Sequence, residues 1–344
     1  MTRGMRVGIR PNTPQWLGWR AGGITASDSA AILGLSPYTS AFALWWRKHD
    51  ARHLLADGLL PVEDARSQRF EIGHALEPVL HRFFASEQLP QGWRIGSGGC
   101  WQGRGVNAWL RATPDRVLYD RPGSRTPVAV VDFKTSAGHE FGDDPGDGVP
   151  EVPVQYRVQM LHQMACVGVD VGWLSVLTGE MKVAHYRIVA QPGETATVVD
   201  AAWEFEKSLR DGQAPPVDGH DATTATLKRQ YSDLEDVEVE VDADLADEFA
   251  AACAAVKQAE AAKAAASNRL LEALGNGRRA MCDGRKVATR SVSYRRSIDR
   301  EALQADHPEI HDKYYRPSTK PTISLKPPAA KPAARPITGE KEPS

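Results

Sequence analysis

The chain has 344 residues, 42% hydrophobic and 25% charged, with a formal net charge of −2. This balance suits a soluble globular protein of one large domain or two smaller ones. It excludes a uniformly basic nucleic-acid coat, though not a basic groove in a neutral protein. No apolar run approaches a membrane span and no signal-peptide core opens the chain, so a cytoplasmic protein without membrane contact is expected. Cys100, Cys166, Cys253 and Cys282 form no CxxC pair. Zinc ribbons and cysteine-ligated clusters therefore lack their spacing, and reduced structural thiols are expected.

Residues 1–15 read as a loose start. In "ITASDSAAILGLSPY", Thr25 or Ser27 can cap a short helix ending near Gly34. "SAFALWWRKHD" predicts another helix, with Arg47, Lys48 and His49 in its last turn where the dipole favours cations. Residues 50–66 read as a loop. Residues 67–88 carry Ile72, Leu76, Val79, Leu80 and Phe83 at helical spacing, with Pro78 predicting a break or a new start near Leu76. Residues 93–135 switch to short alternating runs, a meander of strands. A helix over 153–168, a hairpin around Thr178-Gly179-Glu180 and a helix over 194–212 stopped by Gly212 follow. This order predicts an α/β (α+β) core over 1–215.

Residues 211–227 have linker composition, "VEVEV" alternates like a strand, and 244–274 predict an alanine-rich helix about 46 Å long. Leu245, Phe249, Ala252, Val256 and Ala259 keep a 4-3 spacing along it. Cys282-Asp283-Gly284-Arg285 reads as a tight hairpin turn, and residues 278–296 hold seven Arg/Lys against one Asp, able to bind nucleic-acid backbone or to form a solvated hairpin. A C-terminal extension over 216–320 and a disordered Pro/Ala/Lys tail over 321–344 complete the expectation.

The chemistry concentrates in "WLRATPDRVLYDRPGSRTPVAVVDFKTSAG". Strand alternation puts Val128, Val130, Asp132 and Lys134 on one face and Ala129, Val131 and Phe133 on the other. If "DRVLY" pairs antiparallel with "VAVVDFK", Asp115 lies near Asp132 and Lys134. Two close carboxylates repel unless a cation intervenes. A hard divalent ion such as Mg²⁺ resolves the repulsion, and a nearby lysine can position water or stabilise a phosphoryl transition state. The plainer alternative is an exposed hairpin with an ordinary salt bridge.

Pro114-Asp115 followed by Asp132-Phe133-Lys134 resembles the PD-(D/E)XK nuclease superfamily. "RAGGITASDSAAILGLSPY", "GHALEP" and "QYRVQMLHQMACVG" occur in the order found in the YqaJ-type viral recombinase and lambda-exonuclease group. The resemblance implies a restriction-endonuclease-like core, a central mixed sheet flanked by helices. Asp115, Asp132, Glu77 and the Phe133 carbonyl would be metal ligands, for Mg²⁺ with Mn²⁺ as a substitute. Lys134 would be the catalytic lysine and Gln159 would orient the water or the lysine. Arg20 and Ser27 would hold a 5′-phosphate. Asp132 departs from the usual glutamate by one methylene.

The same residues have plainer readings: Glu77 as a surface acid, Arg20 stacked on Trp16 or Trp19, His74 and His162 on helix faces; Gln163, four residues from Gln159, either shares its face or is solvated. Arg47, Lys48, Arg52, Arg66, Arg69, Arg104 and Arg111 are candidates for a DNA channel. The implied activity is resection of the 5′ strand of linear duplex DNA to leave 3′ tails, by a homo-oligomer with a single-strand annealing partner, in the host cytoplasm if phage-encoded. An endonuclease or repair nuclease on the same core, or a non-catalytic DNA-binding phage protein, are the alternatives.

Overall fold

The computed structural model describes residues 3–61, 68–136, 141, 151–233, 235–294 and 297–314, the side chains of Arg69 and Phe70 excepted. Arg66 and the tail over 321–344 lie outside the described residues. Two units emerge, Met1–Gln230 and Tyr231–Ser344.

The start of the first unit is not loose. Strand β1 (Met5–Val7) pairs antiparallel with a later strand, and Thr13 caps helix α1 (Pro14–Ala21) by accepting from the Trp16 N–H at 3.3 Å. Proline at the first helical position costs nothing because its missing N–H has no partner there. Strand β2 (Ile24–Thr25) enters a 3-10 turn over Ala26–Asp28 and helix α2 (Ser29–Ile32). Thr25 caps the turn as expected: its N–H and hydroxyl donate to Asp28 Oδ2 at 2.8 and 2.7 Å. Helix α3 (Ala41–Ala56) runs past the expected end near Asp50, because "ARHLLA" contains good helix formers and no breaker.

Helix α4 (Gln68–Glu87) passes through Pro78 without the expected break. Leu80 and Phe84, both fully buried, hold it on the sheet, so packing overrides the missing backbone hydrogen bond. Ile72 and Phe83, expected on the buried face, are 50% and 44% exposed.

The meander supplies β3 (Arg94–Ser97), β4 (Cys100–Gln102), β5 (Leu110–Ala112), β6 (Arg116–Tyr119) and β7 (Ala129–Thr135). Helix α5 (Val154–Val167), strands β8 (Val171–Leu177) and β9 (Val183–Val189), and helix α6 (Glu194–Asp211) follow. One sheet has the order β3-β6-β7-β8-β9, and a smaller one β1-β4-β5-β2. Only β7–β8 is parallel in the larger sheet, so it is mixed, and α5 is the crossover between those two strands. Val130, Leu174 and Ile188 face α5 and α6 with Met160 and Met164; Leu118, Val131 and Phe133 face α4. Val128, expected on the Asp132 face, precedes β7 and packs with the α4 cluster.

The core does not end at 215. Helix α7 (Asp221–Gln230) forms inside the segment read as linker and is tied back by a Ser40–Thr223 hydroxyl pair at 2.7 Å. In the second unit, helix α8 (Ala243–Leu274) matches its expected span. Strands β10 (Arg279–Cys282) and β11 (Arg285–Thr289) turn at Asp283 and Gly284, whose φ values of 48° and 76° are those of a hairpin turn. Helices α9 (Arg300–Asp306) and α10 (Pro308–Tyr314) follow. "VEVEV" is not a strand: among the described residues it pairs with no other, and alternation alone leaves its backbone unsatisfied. Among the described residues no helix is long and apolar enough to cross a membrane.

Candidate active site

The β6–β7 register sets Arg116 opposite Val131, which brings Asp115 beside Asp132 and Phe133. Asp115 is fixed from two sides. Its Oδ2 accepts from the Phe133 N–H at 2.7 Å, and its carbonyl accepts from the Gly98 N–H at 3.2 Å. Gly98 lies so close to the Pro114 carbonyl that a Cβ there would sit 1.7 Å from its oxygen, so only glycine lets the β3–β4 corner support Asp115.

Asp132 is buried and heavily partnered. Lys134, two residues along the same strand face, donates to its Oδ2. Gln159 donates to the same oxygen at 3.2 Å and Gln163 to Oδ1 at 3.0 Å, both from α5. The two glutamines stand one helical turn apart, so both amides reach the same carboxylate. Gln163 is the residue sequence reasoning undervalued. It is fully buried rather than solvated, and among the described residues its Oε1 has no hydrogen-bond partner. Its spacing from Gln159 was the available signal.

Burial pushes the Asp115 carboxyl well above the usual range, helped by the charges of Asp132 and Glu77 and opposed by Lys134. Burial works against the Lys134 ammonium too, yet Asp132 and Asp115 outweigh it and raise the lysine pKa. Lys134 is therefore a firmly charged donor. Glu77 reaches the same cleft from α4, where His74 Nδ1 pairs with its Oε1.

Among the described residues no three His, Cys, Asp or Glu side chains gather as a ready metal cage. Asp115 and Asp132 offer two carboxylates, and that donor set fits Mg²⁺, which takes one or two carboxylates and keeps several waters.

Beside the acids, Arg20 Nη2 donates to the exposed Ser27 hydroxyl at 2.9 Å while its guanidinium lies 4.6 Å from the Trp16 ring centre. Stacking and hydroxyl contact coexist. The turn bearing Ser27 is anchored by α3. Lys48, buried, meets Asp28 Oδ2 at 2.8 Å and donates to the Gly23 carbonyl at 2.8 Å. Burial alone would raise the Asp28 pKa, but Lys48, Arg20 and Arg47 hold it far below the usual range.

His162 is likewise internal rather than on a helix face. Burial pushes its pKa down to about 4. The neutral ring donates from Nε2 to the Arg111 carbonyl at 3.1 Å, leaving Nδ1 to accept from the Ser29 hydroxyl at 2.7 Å.

Asp115, Asp132, Lys134, Gln159, Gln163, Glu77, His74, Arg20 and Ser27 line one cleft of about 840 Å³, together with Arg6, Arg10 and Arg116; Phe133, Lys48, Asp28 and His162 lie behind this lining. Several expected channel cations point elsewhere. Lys48 is internal, Arg52 pairs with buried Glu206, and burial brings Arg111 down to about 10 beside Trp19. Arg104 donates to the Arg3 carbonyl, and Arg47 is exposed near Asp28.

Residues 15–170 match a family model described as a YqaJ-like viral recombinase domain. The protein YqaJ of Bacillus subtilis (strain 168), itself uncharacterized, is 25% identical over 224 residues. That alignment covers 64% of this chain, and the chain spans 64% of that relative's length. Among solved structures, an alkaline exonuclease of Laribacter hongkongensis is 17% identical with a TM-score of 0.42, covering 64% of this chain and 98% of that one. A phage-related exonuclease of Haemophilus somnus 129PT is 14% identical with a TM-score of 0.37, covering 55% and 96%.

Proposed function

From the match of residues 15–170 to the YqaJ-like viral recombinase domain model, we propose that this protein is a divalent-metal-dependent DNA exonuclease that resects the 5′ strand of linear duplex DNA. The observation that carries the reading is the convergence of Asp115, Asp132 and Lys134 in a cleft rimmed by Arg6, Arg10, Arg20 and Arg116. Anionic side chains at the floor of a cationic cleft suit a phosphodiester held by its phosphates over a metal.

Asp115, Asp132, the Phe133 carbonyl and, directly or through water, Glu77 would hold Mg²⁺ or Mn²⁺. When bound, such an ion supplies charge neutralisation at the phosphate and an acidified water. The protein's own groups set the rest. Gln159 and Gln163 clamp Asp132 in one orientation. Lys134, with its raised pKa, donates a hydrogen bond to the water or to the developing negative charge and does not act as the base. Arg20 and Ser27 would take the terminal 5′-phosphate, a guanidinium and a hydroxyl being matched to phosphate oxygens. The partners in this reading are duplex DNA ends, further copies of the chain and a single-strand annealing protein.

The test compares linear duplexes carrying 5′-phosphate or 5′-hydroxyl with closed circular DNA, in Mg²⁺ and in chelator. Metal-dependent release of nucleotides from phosphorylated ends, with the closed circle intact, is expected. Cutting of the closed circle assigns an endonuclease, and equal rates on both ends remove Arg20 and Ser27 from the site. Absence of any metal-dependent cleavage leaves a DNA-binding protein.

A further inference from the structure

Helix α8 runs for 32 residues, about 48 Å, and none of its residues is buried. Leu245 is 57% exposed, Phe249 39% and Val256 58%. Alanine-rich sequence favours the helix itself, but apolar residues at a sustained 4-3 spacing mark a helix with a partner. The repeat continues through nearly the whole element and separates by size. Phe249, Val256, Lys263 and Leu270 fall at one heptad position, while the other holds Leu245 and then only alanine, Ala252, Ala259, Ala266 and Ala273.

Charge is divided as sharply. Residues 235–256 hold eight acids and no Lys or Arg, whereas residues 257–298 hold ten Lys/Arg and three acids. Within α8 itself residues 243–256 hold three acids and no Lys or Arg, and residues 257–274 hold three Lys/Arg and two acids; the segments before and after the helix extend the same polarity, which says something about what can lie along it. A parallel copy would set acid against acid and base against base. An antiparallel copy sets each acidic end beside the other's basic end.

We propose that α8 is the contact between two copies of this chain, laid antiparallel. In an antiparallel pair, the two heptad positions face each other across the seam. A register centred on Ala261 then gives each residue of the Phe249 row an alanine to lie over, with Leu245 left at the end of the seam. Phe249 meets the second copy's Ala273, Val256 its Ala266, Lys263 its Ala259 and Leu270 its Ala252. Alanine lets the helix axes approach, and the large side chains fill the space this leaves. Lys263, the one charge in the seam, comes level with the second copy's Glu260. Nothing in this pairing depends on the chemistry of the cleft, so loss of nuclease activity and loss of association are separate outcomes.

The experiment is sedimentation of the full chain over a range of concentration and salt. A reversible dimer that loosens with added salt is expected, since the end-to-end charge pairing is exposed and screened. Val256→Glu with Leu270→Glu should raise the dissociation constant at least tenfold, with helicity by circular dichroism retained. Asp247→Lys with Glu248→Lys should weaken the dimer, and mixing that chain with an Arg269→Glu, Arg278→Glu, Arg279→Glu chain should restore it. Orientation is read by a short bismaleimide in a Cys282→Ser background. Adding Ser267→Cys should link the new thiol to Cys253 of the other copy, while Cys253 alone should give no dimer, the two copies lying about 24 Å apart there at 1.5 Å per residue. A chain monomeric up to about 0.1 mM overturns the proposal. So does a dimer indifferent to the seam substitutions, as from another surface, or efficient linkage through Cys253 alone, which means a parallel pair.

Discussion

Asp115 is the residue where stability and function pull apart. Its raised pKa means the folded protein favours the protonated carboxyl. The stability it confers is full below the ordinary carboxylate range and is lost as pH rises through the raised value. Asp115→Asn removes that liability and keeps an oxygen for the Phe133 N–H. In chelator at pH 8 the variant should gain about 1–2 kcal/mol, roughly 2–8 °C in Tm, by scanning calorimetry. The gain should shrink as pH falls to where the native carboxyl is protonated, and nuclease activity should vanish throughout. Gln163 acts differently: among the described residues its side chain hydrogen-bonds to Asp132 alone. Gln163→Leu should lower kcat by about 10–100-fold with KM for DNA unchanged, the pattern of a group that orients a ligand. A matching rise in KM would instead make it a substrate contact.

Strand β1 and the turn after it bring Arg6 and Arg10 to the cleft from outside the matched residues 15–170. Arg6 Nη2 lies 3.3 Å from the Ser97 hydroxyl, leaving the guanidinium at the rim. Arg6→Ala and Arg10→Ala should each weaken DNA binding and flatten the salt dependence of log K by about one unit, with kcat little changed. The element scale also shows what the sequence could and could not say. The β7 face pattern was legible because alternation is a local property, and the Asp132–Lys134 contact follows from it. The buried roles of Lys48 and His162 were not legible, because each depends on a partner far along the chain, Gly23 and Ser29 respectively; for Gln163 the spacing from Gln159 was legible but the partner Asp132 was not. Pro78 misled for the same reason. A local rule predicted a break, and the packing of Leu80 and Phe84 overrode it. The loose N-terminus was misread because a three-residue strand is too short to show alternation; only its pairing with β4 reveals it.

At the scale of the whole chain, the first compact unit closes at Gln230, after α7, and every residue of the candidate site lies within it. A chain ending at residue 230 should keep the melting temperature of the cleft-bearing unit, by intrinsic tryptophan fluorescence, and its metal-dependent activity on short duplexes. A chain ending at 215 should melt lower, since it lacks the Thr223 hydroxyl that meets Ser40.

The β7–α5–β8 crossover carries a consequence for the order in which this protein comes into being. Asp115, Asp132 and Lys134 leave the ribosome early, on a hairpin whose second strand still lacks its parallel neighbour. The glutamines that orient Asp132 ride on the crossover helix, and we expect that helix to settle only when β8 arrives to close the sheet. A nascent chain halted before β8 therefore displays all three charged residues of the site without their alignment. On the proposed nuclease reading, the chain would be mute during its own synthesis, and a truncated translation product would not threaten the DNA of the cell that made it.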